Sequence, residues 1–212
     1  MKKINVSIIH YGLGNLRSVV KAFDKINIPS KIIKTPEEIE YANYLILPGV
    51  GAFEDGINGL KERNLVNPIK KYVKVGKPLF GICLGMQLLM TESEEFGLHK
   101  GLNLIDGKVI NLRSTQNRSY KVPHVGWSQL LIQKDKNWRD TILSNISEKS
   151  EVYFVHSFYV EAENKNTLAI TEYGGKKICA VIQKGNITGC QFHPEMSGKI
   201  GLKIYKNFCK IQ

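Results

Sequence analysis

The 212-residue sequence predicts an α/β fold: a central, mostly parallel sheet flanked by helices, with additional antiparallel strands in the C-terminal half. Three observations carry this reading. Up to residue 100, strand-like apolar segments alternate with segments of helical period, the pattern of successive βαβ units. Two of those strands, "YLIL" and "PLFGI", are unbroken apolar runs, as parallel strands covered on both faces require. Beyond residue 100 strand-like segments follow one another directly, joined by turns such as Gly174-Gly175 and Gly185-Asn186, which is the habit of antiparallel or mixed sheet. No repeat, low-complexity stretch or linker divides the chain, so residues 1–212 are expected to form a single domain.

Each element has a local reason. "INVSIIHYG" is an apolar strand ending in a turn, and "NLRSVVKAFDKI" places Leu16, Val19, Val20 and Phe23 at helical spacing. "SKIIK" is a short strand. "TPEEIEYA" offers Thr35 as N-cap, Pro36 at the first helical position and acids in the first turn. "YLILPG" is a buried strand, "VNPIKKYVKVG" a helix stopped at Gly76, and "PLFGI" a second buried strand leading into the helical "LGMQLLM". In the second half, "LNLIDGKVINL", "VPHVGWSQLLI", "EVYFVHSFYVEA" and "TLAITEYGGKKICAVIQKGNITGCQF" are strand-like. "SGKIGLKIYKNFCKI" closes the chain as a helix with its apolar stripe at Ile200, Ile204 and Phe208.

Composition excludes some functions. No apolar run approaches the ~18 residues of a bilayer span. The basic start lacks the apolar core of an export signal, because Asn5, Ser7 and His10 interrupt it, so a cytoplasmic location is expected and no membrane partner. Cys83, Cys179, Cys190 and Cys209 show neither a C-x-x-C pair nor metal-ligand spacing; free thiols are expected, with no metal and no cofactor. The net charge of +11 comes from lysines dispersed along the whole chain, which reads as a solvated surface rather than a nucleic-acid site. "KKYVKVGK", the densest cluster, reads as an exposed helix face running into a turn.

The chemistry begins at Gly81-Ile82-Cys83-Leu84-Gly85, between a strand and a helix. This spacing copies the G-x-S-x-G nucleophile elbow with sulfur in place of oxygen, in which small residues on either side let strand and helix cross closely. The pentapeptide alone also fits a small buried hydrophobe. A nucleophilic thiol needs a base, and the base needs orienting. Of His10, His99, His124, His156 and His193, the last stands out in "CQFHPEMS". If that segment is extended from a strand ending at His193, Glu195 at i+2 lies on the histidine's side and can hold its ring. "LPGVGAF" adds a glycine-rich loop after a strand, whose amides can face an oxyanion.

Taken in order, these three segments resemble the class I (triad) glutamine amidotransferases, and within them the glutaminase subunits of imidazole glycerol phosphate synthases. The resemblance spans the chain through "YGLGNLRSV", "LPGVGAF", "GICLGMQLLM", "SEEFG", "VPHVGW", "YFVHSFY", "GCQFHPEMSG" and "GLKIYKNF". It implies a class I glutamine amidotransferase fold. It implies Cys83 as nucleophile on the glutamine side-chain amide, His193 as base and then acid, and Glu195 as its orienter. It implies oxyanion contacts from the amide of Leu84 and from the loop Gly49, Val50 and Gly51. Gln87 and Glu95 match positions that hold the α-carboxylate and α-amino region of glutamine, and Ser157 and Phe158 match backbone contacts. The implied partner is a (β/α)₈-barrel cyclase or synthase subunit, bound as a heterodimer, that uses the ammonia to make imidazole glycerol phosphate. Three positions depart from the family pattern: His10 stands for an aspartate in "DYGxGN", Ser128 for an asparagine in "GWN", and Met196 for a lysine in "HPEKS". They leave the triad intact and bear on the partner, so a related glutaminase feeding another synthase, such as one that aminates a sugar, is the alternative. A non-catalytic binding module would be expected to lack one of Cys83, His193 and Glu195.

Overall fold

The computed structural model describes residues 5–114 and 120–211. The first half runs β1 (Val6–Ile9), α1 (Leu16–Lys25), β2 (Ser30–Ile33), α2 (Pro36–Glu40), β3 (Tyr44–Leu47), α3 (Phe53–Glu62), α4 (Val66–Lys74), β4 (Leu79–Ile82) and α5 (Leu84–Leu88). The second half runs β5 (Glu92–Ser93), β6 (His99–Lys100), β7 (Gly107–Asn111), β8 (His124–Gln129), β9 (Leu131–Ile132), β10 (Glu151–His156), β11 (Phe158–Ala162), β12 (Thr167–Tyr173), β13 (Lys176–Lys184), β14 (Ile187–Cys190) and α6 (Gly198–Phe208). A single 3₁₀ turn, Pro194–Met196, precedes α6.

The main sheet has strand order β2-β1-β3-β4-β14-β13-β12-β9. From β2 to β14 every pairing is parallel; from β14 to β9 every pairing is antiparallel. The expected change of strand habit along the chain is therefore a change across one sheet. Alternate residues of the parallel strands feed two cores: Leu45, Leu47 and Leu79 face one side with α2, α3, α4 and α5, while Ile46, Phe80 and Ile82 face the other with α1 and α6. Burial on both faces is why these strands read as unbroken apolar runs.

The helix signals operate as the sequence indicates. Thr35 and Glu38 form a reciprocal capping box, with Pro36 in the first turn of α2. Gly76 follows the C-cap of α4 at φ +83°, a left-handed conformation that favours glycine. Lys70, Lys71 and Lys74 lie on the exposed side of α4. Among the described residues no helix is long and apolar enough to cross a membrane.

Several segments differ from expectation. "LNLIDGKVINL" is strand only over Gly107–Asn111. "VPHVGWSQLLI" breaks at Leu130 into β8 and β9, which belong to different sheets. "EVYFVHSFYVEA" is two strands: β10 pairs with β8 in a ribbon, and β11 joins a four-stranded sheet of order β11-β7-β5-β6. Val152 and Phe154 of β10 pack into the core on the α1–α6 side, whereas Phe158 and Val160 of β11 pack into the core on the other side. The chain therefore crosses from one face of the molecule to the other at Ser157. α3 was not foreseen, because Gly56 and Gly59 lower its helical propensity. A Cβ on Gly59 would lie 2.3 Å from the Tyr11 carbonyl oxygen, so close packing of this helix requires that glycine.

Candidate active site

Cys83 lies at the C-terminal end of β4, at the sheet position expected for a ligand site in a parallel α/β fold. Its backbone sits at φ +52°, ψ −111°, the strained conformation of a nucleophile elbow. The flanking glycines are sterically required. A Cβ on Gly81 would approach the Gly85 carbonyl oxygen to 2.7 Å, and one on Gly85 would approach the Leu47 carbonyl oxygen to 1.7 Å. The Cys83 amide donates to the Cys190 carbonyl at 2.8 Å, tying the elbow to β14.

His193 does not end a strand; β14 stops at Cys190. Nor is its partner reached along an extended segment, because Pro194–Met196 forms the 3₁₀ turn. That turn still brings the Glu195 carboxylate back onto the ring: His193 Nδ1 donates to Glu195 Oε1 at 2.8 Å, both side chains being buried. The other oxygen, Glu195 Oε2, accepts from the Tyr205 hydroxyl of α6 at 3.3 Å. Ser197 Oγ donates to the His193 carbonyl and accepts from the Tyr153 amide, which fastens the turn to β10. Burial works against the charged ring, but the neighbouring Cys83 sulfur and the Glu195 carboxylate outweigh it and lift the His193 pKa to about 10. His193 Nε2 is buried with no partner in hydrogen-bond geometry, and the Cys83 sulfur is the neighbour that raises its pKa most.

The loop Gly49–Gly51 follows β3 beside this corner. Tyr11 lies beneath it, donating its hydroxyl to the Pro48 carbonyl at 2.7 Å. Burial holds the Tyr11 hydroxyl protonated, far above the ordinary tyrosine range. A Cβ on Gly49 would meet that hydroxyl at 2.4 Å and Leu84 Cβ at 2.8 Å, while Gly51 stands at φ +116° and Val50 is exposed. The loop is thus packed against the first residue of α5.

Gln87 and Glu95 are buried rather than exposed loop polarity. Gln87 Nε2 donates to the Phe158 carbonyl at 3.0 Å and to Gln191 Oε1 at 3.2 Å. Glu95 Oε2 accepts the Phe53 amide at 2.6 Å and so caps α3, which has no capping side chain of its own. Burial raises the Glu95 pKa, against the opposing pull of that amide and of His99. Phe158, with Ser157 at the crossing, is joined to Cys83 through Gln87 and Gln191, since Gln191 Nε2 lies 3.7 Å from Cys83 Sγ.

Tyr11, Gln191 and Tyr205 were not singled out from the sequence, because each reads locally as core: Tyr205 lies beside the apolar stripe of α6, Tyr11 lies two residues past β1, and Gln191 stands between apolar neighbours. His156, a rejected base, is buried and neutral: burial and the adjacent His124 push its pKa down to about 3. The remaining thiols are inert by environment, burial lifting those of Cys179 and Cys209 to about 12 and that of Cys190 well above its ordinary value.

An elbow thiol, a carboxylate-held histidine and a glycine loop aimed at one corner suit acyl transfer from an amide. Comparison with known proteins agrees. The family model "Glutamine amidotransferase class-I" matches residues 7–211. The chain is 49% identical to "Imidazole glycerol phosphate synthase subunit HisH 1" of Legionella pneumophila (strain Paris), over 98% of this chain and 99% of that one. It is 48% identical to the HisH subunit of Methanosarcina barkeri, over 98% of each chain, and 44% identical to that of Syntrophotalea carbinolica, over 96% and 98%. Among solved structures, a glutamine amidotransferase superposes with TM-score 0.73 at 18% identity over 97% of each chain. PurLQS from Thermotoga maritima superposes with TM-score 0.74 at 21% identity over 98% of each chain. These last two show the fold alone, whereas the family match over nearly the whole length places this chain among the class I glutamine amidotransferases.

Proposed function

We propose that this chain is the glutaminase subunit of an imidazole glycerol phosphate synthase, a single catalytic domain acting in the cytoplasm in histidine biosynthesis. The observation that carries the chemistry is the Cys83 elbow beside a histidine whose Nδ1 is held by Glu195 and whose Nε2 is unengaged. The relatives, 44–49% identical over nearly their full length, support the pathway.

The Cys83 thiolate attacks the side-chain carboxamide carbon of glutamine. The amide of Leu84 and an amide of the Gly49–Gly51 loop receive the oxyanion, each such donor being worth about 3–4 kcal/mol at the barrier. His193 gives a proton to the departing nitrogen, ammonia leaves, and a thioester to Cys83 remains. His193 then takes a proton from water, which attacks the thioester; glutamate leaves and the thiolate returns. Gln87, Glu95, Ser157 and Phe158 position glutamine, Glu95 through the buried carboxylate that also caps α3.

The ammonia passes to a (β/α)₈-barrel cyclase or synthase subunit bound as a heterodimer. An exposed apolar surface beside the site supports a docking partner: Val125 (54% exposed), Trp127 (53%), Val155 (37%) and Met196 (47%), where a charged rim would be expected on a monomer. The register pairs Val125 with Val155 and Trp127 with Tyr153 on one face of the β8–β10 ribbon. Met196, exposed directly after Glu195, favours one second reading, a glutaminase of this family that feeds a different synthase. The test is Cys83→Ala in the assembled synthase. Glutamine-driven synthesis is expected to vanish while ammonia-driven synthesis by the partner persists. Appreciable glutamine-driven turnover would sink the nucleophile assignment.

A further inference from the structure

We propose that Gln191 is a further catalytic residue: its side-chain amide nitrogen holds the sulfur of Cys83, and the Phe158 carbonyl, acting through Gln87, sets that orientation. The inference rests on the reading of Cys83 as nucleophile.

The polarity of the chain follows from a single group that can only accept. The Phe158 carbonyl receives Gln87 Nε2 at 3.0 Å and His156 Nδ1 at 2.8 Å. Both must donate, so the Gln87 amide cannot be flipped and His156 carries its proton on Nδ1. The second hydrogen of Gln87 Nε2 is then directed at its other neighbour, 3.2 Å away, which must be an oxygen: Gln191 Oε1. With its oxygen engaged, Gln191 has only its NH₂ to present to Cys83 Sγ, 3.7 Å away. On the other branch, neutral His156 accepts at Nε2, so His124 Nδ1 donates across 3.0 Å. His124 Nε2 therefore accepts, and the Ser128 hydroxyl donates to it at 2.9 Å. The Phe158 carbonyl thus sets which atom donates in each bond of both branches.

The setting makes this orientation consequential. Gln191 is fully buried, and His124 is clamped between the rings of Phe154 and Tyr173. Both histidines stay neutral near neutral pH, burial pushing His124 down to about 4 and His156 to about 3, so the chain keeps its polarity through the working range. A fixed N–H dipole on sulfur favours the charged form. It supports the thiolate as attacking group, and again as leaving group when water opens the thioester. The other titratable groups facing Cys83 are His193, backed by Glu195, and the buried Cys190 and Tyr11, which burial keeps protonated. Gln191 is thus a neutral donor to the sulfur, while His193 provides the charged one.

The test is the pH profile of Cys83 alkylation by iodoacetamide, followed by mass spectrometry of the Cys83 peptide; no glutamine is needed. Gln191→Met keeps the volume and removes the donor. Its alkylation midpoint is expected to rise by about 0.5–1 pH unit, lowering the thiolate fraction at neutral pH about three- to tenfold. kcat with glutamine should fall in step while KM holds within twofold. Gln87→Met, which frees Gln191 to rotate, should move the midpoint the same way. A folded Gln191→Met protein with an unmoved midpoint would overturn the proposal. Should that variant fail to fold, the wild-type protein decides: in nitrogen-15 NMR the Gln191 side-chain amide signal should move as Cys83 titrates. A stationary amide signal would refute it. Glutamine hydrolysis surviving in Cys83→Ala would instead remove the nucleophile reading itself, whatever the alkylation profile shows.

Discussion

Gly85→Ala isolates what the elbow costs and what it gains. The added Cβ would stand 1.7 Å from the Leu47 carbonyl oxygen and 2.7 Å from the Leu47 carbonyl carbon. Both are β3 backbone atoms, so no side-chain rotation relieves the clash. Ordinary contact begins at 3.4 Å, and 3.4 − 1.7 leaves 1.7 Å by which β3 and the start of α5 must separate. Leu84, immediately before Gly85, carries the expected oxyanion amide, and Cys83 precedes that. A misplacement of about 1 Å at reacting groups costs on the order of 10²-fold in rate. Overpacking of this kind costs about 1–3 kcal/mol of stability, or about 2–12 °C in Tm for a chain of this size. The assay is glutamate release by the assembled synthase, beside a thermal melt. Gly76→Ala is the control: its Cβ meets nothing within 4 Å, but its φ of +83° strains any side chain. It should lower stability by about 1–2 kcal/mol and leave the rate unchanged. A Gly85→Ala enzyme within threefold of the wild-type rate and with an unchanged Tm would refute the close-crossing argument.

Acid stability should report the neutral histidine pair. The folded-state pKa of His156 lies near 3, below its unfolded value of about 6.5. The unfolded chain therefore binds the extra proton first, and stability present above pH 6.5 is lost as pH falls toward 3. His156 alone should account for about 2 kcal/mol of loss between pH 6.5 and 4.5, and His156→Gln, although less stable at neutral pH, should show a flatter acid limb in chemical denaturation. An equally steep limb would mean the pair is not the cause. Met196→Lys should weaken binding of the partner subunit at least threefold in a calorimetric titration, because it puts a charge on an apolar docking face; tenfold tighter binding would show instead that the partner presents an acid there.

The sequence by itself determined the parallel half of the fold and pointed to the candidate reactive groups, for reasons that are local. Runs such as "YLIL" must be covered on both faces, Thr35 and Glu38 cap their own helix, and Gly81 and Gly85 announce a close crossing around Cys83. The Cys83 corner was legible because Gly81 and Gly85 state its backbone demands, whereas His193 and Glu195 meet through a 3₁₀ turn and not through the extended segment that the sequence suggests. What only the tertiary structure decided depends on residues far apart in the chain. α3 carries two glycines that its own propensity disfavours, yet the approach of Tyr11 and the cap from Glu95 secure it. β10 and β11 read as one strand, because alternation along a strand cannot reveal that the two halves enter opposite cores. The same crossing turns the Phe158 carbonyl toward both His156 and Gln87, and so sets the direction of an amide chain that ends on Cys83. Hydrogen-bond polarity of that kind has no periodicity to read; it exists only once Gln87 and Phe158, 71 positions apart in the chain, have been brought together.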